Sequence, residues 1–278
     1  MNRILAKKQL TPEIVQFEIE APRIAKRWKP GNFLILRPRP DSERIPLTLV
    51  AGDAATGSIT IVVQAIGKTT FELASMQPGE FIADVVGPLG EAATIEKVGR
   101  VLCVGGGVGV AELLPVARAF KEAGNYVSAL CGARTIHHII LDAELRDCCD
   151  EVLWSTDDGS NGFKGTVVDL MKAWNKREGL AAVHVIGPIP MMKYVALLTK
   201  EWGVPTYASL NPVMIDGTGM CGGCRVTVGG KVRFACVEGP EFDAHQVDFD
   251  ELARRNRAYS DHERKKFEEH LCKLGLTR

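Results

Sequence analysis

Val101-Leu102-Cys103-Val104-Gly105-Gly106-Gly107-Val108-Gly109-Val110-Ala111-Glu112 joins an apolar run to a run of glycines and then to a second apolar run. Val101–Val104 reads as a short buried strand. The glycines that follow read as a tight turn, and Ala111–Glu122 as an amphipathic helix. Further strands are expected at Tyr126–Leu130, Val152–Trp154 and Val183–Ile186. Helices are expected at Val167–Lys176 and Met191–Trp202. Strands alternating with helices imply a doubly wound α/β domain with a parallel sheet, over residues 98–208.

In such a sheet, ligands bind beyond the carboxyl ends of the strands. A nucleotide pyrophosphate fits a glycine turn that opens a helix, which makes Gly105, Gly106, Gly107 and Gly109 candidates. The run does not satisfy G-x-G-x-x-G, because position 110 is Val. No acidic residue closes the second strand, which runs into Cys131-Gly132-Ala133-Arg134. The usual dehydrogenase fingerprint is therefore absent, and a tight turn without a ligand is the plain alternative. Ile186-Gly187-Pro188-Ile189-Pro190-Met191 closes a strand and opens a helix at the same end of the sheet. It is a second candidate ligand turn, or simply a helix start with proline in its first turn. Thr156-Asp157-Asp158-Gly159-Ser160 also lies at a strand end, as a loop or as a binder of sugar hydroxyls.

Upstream, residues 1–97 read as all-β. Candidate strands are Val15–Ile19, Phe33–Leu36, Ile59–Gln64 and Phe81–Val86, separated by Gly, Pro and Asp turns. Short strands without intervening helices suggest a small β-barrel. It carries Arg44-Ile45-Pro46-Leu47-Thr48, ahead of Gly67-Lys68-Thr69-Thr70. A guanidinium binds a diphosphate in bidentate fashion, and a Thr hydroxyl can reach the polar edge of a ring. Gly67, Thr69 and Thr70 offer N–H groups to a pyrophosphate if they open a short helix. Taken alone, R-x-P-x-T is equally compatible with an exposed structural arginine.

Downstream, residues 209–278 contain Asp216-Gly217-Thr218-Gly219-Met220-Cys221-Gly222-Gly223-Cys224, followed by Cys236. The spacing is D-x4-C-x2-C-x11-C. Plant-type [2Fe–2S] ferredoxins use C-x4-C-x2-C and a more distant cysteine, so an aspartate stands in the first slot here. The intervening glycines supply backbone conformations that let a loop wrap a cluster. Gly229-Gly230, between Arg225–Val228 and Lys231–Ala235, signals a hairpin that brings Cys236 back to the loop. A zinc site of three thiolates and a carboxylate is the alternative, as is a cluster whose fourth ligand is not Asp216. Residues 249–278 read as charged helix, with Asp261–Leu274 a solvated face.

The 34 basic and 34 acidic residues balance, which argues against a nucleic-acid binder. The most apolar stretch, Val98–Phe120, is broken by Arg100, Glu112 and glycines and is no membrane span. The N-terminus lacks an apolar signal core, and the grouped cysteines suit a reducing compartment, so the expected location is cytoplasmic. The six histidines show no metal-binding pattern and read as surface or packing residues.

The order of these motifs resembles the ferredoxin–NADP reductase superfamily over nearly the full chain. The nearest shape is its branch of electron-transfer subunits, which serve dihydroorotate dehydrogenases, sulfide dehydrogenases and NADH-dependent reduced ferredoxin:NADP oxidoreductases. The resemblance implies FAD on the barrel, against Arg44, Pro46, Leu47, Thr48, Gly67, Thr69 and Thr70. It implies NAD(H) along Gly105–Gly109, reaching Gly187 and Pro188; Arg134 and Asp157, at neighbouring strand ends, are further cofactor-binding candidates. It implies a [2Fe–2S] cluster on Asp216, Cys221, Cys224 and Cys236. Two departures matter. Ile186 stands where many members place a cysteine beside the nicotinamide. The dihydroorotate subunits have four cysteines in the loop, whereas the Asp-first loop resembles that of the electron-bifurcating transhydrogenases. That implies a larger flavoprotein partner with [4Fe–4S] clusters and an NADP(H) site, and ferredoxin reached through the complex. The alternatives are a dihydroorotate or sulfide dehydrogenase subunit, and a non-enzymatic metal-binding redox sensor.

Overall fold

The computed structural model describes residues 2–174, 176 and 178–276. The first part comprises β1 (Asn2–Thr11), β2 (Ile14–Glu20), α1 (Pro22–Ala25), β3 (Phe33–Arg37), β4 (Ile45–Asp53), β5 (Ser58–Gln64), α2 (Lys68–Ser75), β6 (Phe81–Ile82) and β7 (Asp84–Leu89). Its strands form one antiparallel sheet in the order β6-β1-β2-β5-β4-β3-β7. Inward side chains alternate along each strand and fill the interior with Phe17, Leu34, Leu49, Ile59, Ile61 and Ile82. The expected strand Phe81–Val86 is two strands. It divides at Ala83, whose N–H donates to Pro38 O at 3.0 Å. β6 and β7 hold opposite edges of the sheet, so this one-residue step nearly closes the barrel.

The second part comprises β8 (Arg100–Gly106), α3 (Gly109–Glu122), β9 (Tyr126–Ala133), α4 (Asp142–Cys148), β10 (Glu151–Thr156), β11 (Phe163–Lys164), α5 (Val167–Ala173), β12 (Leu180–Ile186), α6 (Ile189–Glu201) and β13 (Thr206–Ser209). The helix expected over Val167–Lys176 ends at Ala173, where Trp174 turns extended; Asn175 lies outside the described residues. β8 to β13 pair in parallel in the order β11-β10-β9-β8-β12-β13. The chain winds one way from β8 to β11, then crosses back to β12. The order therefore reverses between β8 and β12, at the point where such sheets bind ligands. Apolar layers cover both faces, one built on α3 and α4 and the other on α5 and α6.

The last part comprises β14 (Arg225–Val228), β15 (Lys231–Phe234), α7 (Ala235–Glu238), β16 (Glu241–Asp243), α8 (Phe249–Arg257) and α9 (Ser260–Lys273). β14 and β15 form the expected hairpin. Both turn glycines take positive φ, 59° at Gly229 and 72° at Gly230, as a type I′ turn requires. β16 adds antiparallel to β13, so this segment is joined to the parallel sheet. The expected charged helix is α9, and Thr277 and Arg278 at its end lie outside the described residues. It is not wholly solvated: Phe267 packs on Phe71 of α2 with ring centroids 5.7 Å apart. Among the described residues no helix is long and apolar enough to cross a membrane.

Candidate functional site

The two glycine turns of the α/β sheet meet at its switch point. Gly105 pairs with Ile186 across β8 and β12. A Cβ on Gly109 would lie 2.7 Å from Ile186 O, and one on Gly187 would lie 3.2 Å from Gly106 N. Side chains are excluded here because backbone approaches backbone. At the ends of β9 and β10 the loops also meet. Asp157 N–H donates to Ala133 O at 3.1 Å, and Asp158 N–H to Arg134 O at 3.4 Å. Arg134 and Asp157 are both exposed there. The structure thus brings the sequence candidates of this domain to one edge of the sheet.

On the barrel, Pro46 pairs with Ile35 and Thr48 with Phe33, which sets the R-x-P-x-T strand beside β3. Arg44 precedes β4 and is exposed. Ser42 Oγ donates to Glu72 Oε2 at 2.6 Å, tying the loop before Arg44 to α2. Gly67 caps α2, and its N–H donates to Thr70 Oγ1 at 2.9 Å. The N–H groups of a first helical turn have no intrahelical acceptor and face an anion readily. Thr69 is buried, and its Oγ1 has no hydrogen-bond partner. A buried hydroxyl left unpaired at an anion-binding helix end fits a bound phosphate group.

The cluster loop is held by glycines in left-handed conformation, with φ of 75° at Gly217, 83° at Gly219 and 66° at Gly222. Gly217 abuts the barrel: a Cβ there would lie 2.5 Å from Leu89 Cδ1 and 3.0 Å from Ile35 Cγ1. The hairpin delivers Cys236, at the start of α7, to within 3.1 Å of Cys224, sulfur to sulfur. Both are buried, while Cys221 is exposed. Burial, then the neighbouring Cys224, pushes the Cys236 thiol up to about 12. Two thiolates this close ionise together only when a cation supplies the charge. Asp216 accepts from Thr218 N–H at 2.9 Å and Cys221 N–H at 2.7 Å. The Thr218 bond leads in holding its carboxyl below the usual range. Among the described residues no three such side chains converge as closely as a single-ion site requires. The donor set of three thiols beside one carboxylate nonetheless suits iron–sulfur ligation.

Glu112 is a functional candidate that the motifs did not single out. It lies in the first turn of α3, where Thr48 Oγ1 donates to its Oε2 at 3.0 Å and Ser209 Oγ donates to its Oε1. Burial pushes this carboxyl up, against the two hydroxyl bonds. Its signal in the sequence is a lone carboxylate within the apolar run Val98–Phe120. The histidines read as packing or surface groups behave so. His184, for one, is buried against Phe120 and Tyr207 and pairs with Glu241 at 2.7 Å.

Known proteins resemble this chain in its fold and in its last segment. Residues 211–248 match the iron–sulfur cluster binding domain of dihydroorotate dehydrogenase B. A Thermotoga maritima protein described as a dihydroorotate dehydrogenase B (NAD(+)) electron transfer subunit homolog is 45% identical, over 99% of this chain and 97% of its own. The corresponding subunit of Desulforamulus reducens is 32% identical, over 88% of this chain and 96% of its own. A solved structure of an NADH-dependent reduced ferredoxin–NADP oxidoreductase, studied for flavin-based electron bifurcation, superposes with a TM-score of 0.92. It is 44% identical and covers 98% of both chains. A Neisseria gonorrhoeae ferredoxin NADP+ reductase shares the fold over 73% of this chain and 90% of its own, at a TM-score of 0.58 and 18% identity. The chain therefore belongs to the family of electron-transfer subunits represented by dihydroorotate dehydrogenase B and its homologues, with an iron–sulfur-binding domain on a ferredoxin–NADP reductase fold.

Proposed function

We propose that this chain is the electron-transfer flavoprotein subunit of a bifurcating transhydrogenase, passing electrons between NAD(H), FAD and a [2Fe–2S] cluster. The observation that carries the reading is the near-complete superposition on the NADH-dependent reduced ferredoxin–NADP oxidoreductase structure. FAD exchanges hydride with the nicotinamide and single electrons with the cluster, so it belongs between them. The chain's own part is positioning. Arg44 and the N-terminus of α2 hold the flavin diphosphate, and Thr69 turns its unpaired hydroxyl to it. Pro46, Leu47 and Thr48 line the ring. Gly105–Gly109 and Gly187-Pro188 admit the dinucleotide backbone against the sheet, with Arg134 and Asp157 at its far end. Asp216, Cys221, Cys224 and Cys236 bind the cluster, and Gly217 sets the loop against the barrel wall. No general acid or base is required.

The partner is a larger flavoprotein subunit with [4Fe–4S] clusters and an NADP(H) site. In the bifurcating direction the complex oxidises two NADPH for each NAD⁺ reduced, each NADPH sending one electron to ferredoxin and the other through this subunit toward NAD⁺. The free state of all eight cysteines suits a reducing, cytoplasmic setting. A second reading is favoured by the match of residues 211–248 and the names of the relatives: the partner is a dihydroorotate dehydrogenase. Isolation of the native complex separates the two. A partner that binds NADP(H), with NADPH-driven NAD⁺ reduction that depends on ferredoxin, supports the first. A partner that binds orotate sinks it in favour of the second.

A further inference from the structure

We propose that Glu112 is a positioning residue that fixes the direction of the Thr48 hydroxyl proton, and thereby biases the barrel's flavin toward its reduced form. The inference rests on the reading of the barrel as an FAD site. Three elements meet at this carboxylate. Glu112 projects from α3, Thr48 from β4 of the barrel, and Ser209 from β13 of the parallel sheet. With one oxygen bound to Ser209 and the other to Thr48, the carboxylate has no free rotation. A hydroxyl has one proton to donate and two lone pairs. Thr48 spends its proton on Glu112 at 3.0 Å, so it presents only lone pairs to whatever else it meets. Thr48 also closes the Arg44–Thr48 motif, on the strand read as lining the ring.

The polar edge of a flavin reverses its hydrogen-bonding sense on reduction. Its N5 accepts a hydrogen bond when oxidised. After the hydride leaves the nicotinamide with its two electrons, the transferred hydrogen is an N–H donor at that atom. An acceptor-only Thr48 matches the second state and mismatches the first. Freed from Glu112, the same hydroxyl can rotate and donate to the oxidised edge. The bias therefore resides in Glu112, although Glu112 itself need not touch the flavin.

The test is the equilibrium of enzyme-bound FAD with NADH and NAD⁺, measured anaerobically in the intact protein, together with FAD affinity in each oxidation state. Glu112→Ala should lower the reduced-to-oxidised ratio about tenfold, the scale of one hydrogen bond, or about 30 mV for a two-electron couple. Glu112→Gln should keep the ratio within about threefold, because its amide oxygen still accepts from Thr48 while its NH₂ donates to Ser209. Thr48→Val, close in shape, leaves Glu112 its bond to Ser209 and should lower the ratio in the same direction. In the Thr48→Val background, Glu112→Ala should add nothing. Bound FAD with an unchanged ratio in Thr48→Val, or fully additive shifts in the double variant, would overturn the inference alone. A native protein that takes up no FAD would overturn the underlying reading.

Discussion

The nucleotide edge and the cluster loop are both glycine-rich, but their glycines answer to different forces. At the nucleotide edge the constraint is space. A Cβ on Gly109 would lie 2.7 Å from Ile186 O, and one on Gly106 would strike Met191, both in the opposite turn, because β8 and β12 are packed side by side in the core. In the cluster loop conformation constrains each glycine, and at Gly217 the barrel wall adds a limit of space. Gly217, Gly219 and Gly222 sit at positive φ, where an L side chain is strained even with room around it. The first site is shaped by the fold before any ligand arrives. The second brings only Cys224 and Cys236 together, while Asp216 is spent on loop amides and Cys221 faces solvent. Packing has already shaped one proposed site, and ligation would complete the other.

The largest effect should follow from removing a buried thiol. Cys236→Ser should abolish bound iron and acid-labile sulfide while leaving FAD and NAD(H) binding intact, as read by metal assay and flavin absorbance. Loss of all three would break the distinction between the two sites. Next, Gly109→Ala should cost about 1–3 kcal/mol in denaturant unfolding, the scale of an overpacked core, and weaken NAD(H) binding at least about tenfold with iron retained. Gly107→Ala sharpens the contrast. Gly107 has φ +58° and nothing within 4 Å, so its cost should be only the left-handed penalty of roughly 1–2 kcal/mol. Asp216→Cys should keep the iron but change the reduction potential of the cluster, because an oxygen ligand becomes a thiolate. An unchanged potential and spectrum would count against Asp216 as a ligand.

The smallest effect concerns Glu112 and pH. Burial raises its carboxyl above the ordinary 4.5 in the folded chain. The folded state then holds the proton that the unfolded state releases, so stability falls as pH rises from that value toward the raised one. Glu112→Gln does not titrate. Its stability relative to the native chain should therefore rise with pH over the same window in thermal melts, and be flat if the carboxyl is not shifted.

Much of this arrangement is legible in the chain because it is local. The strand, glycine run and helix from Val101 to Glu122 form one continuous unit, as do the Asp216–Cys224 loop and the hairpin returning Cys236. What is not legible is pairing at a distance. β1 carries Lys7 and Lys8 and buries only Ile4 and Thr11, so it lacks a clean alternating signal and is defined by its neighbours β2 and β6. The division at Ala83 depends on barrel closure. The contact of α9 with α2 joins Phe267 to Phe71 across most of the chain. Glu112 is hidden for the same reason: Thr48 and Ser209 lie 64 and 97 residues away, and only the assembled domains bring them to one carboxylate.

The proposed electron route runs from nicotinamide through flavin to the cluster. Its most direct test is anaerobic addition of NADH to the purified chain, before and after removal of FAD, with the cluster followed by electron paramagnetic resonance. The expected outcome is iron with equal acid-labile sulfide, bound FAD, and cluster reduction by NADH only while FAD is present. Zinc in place of iron, or cluster reduction that persists without flavin, would contradict it.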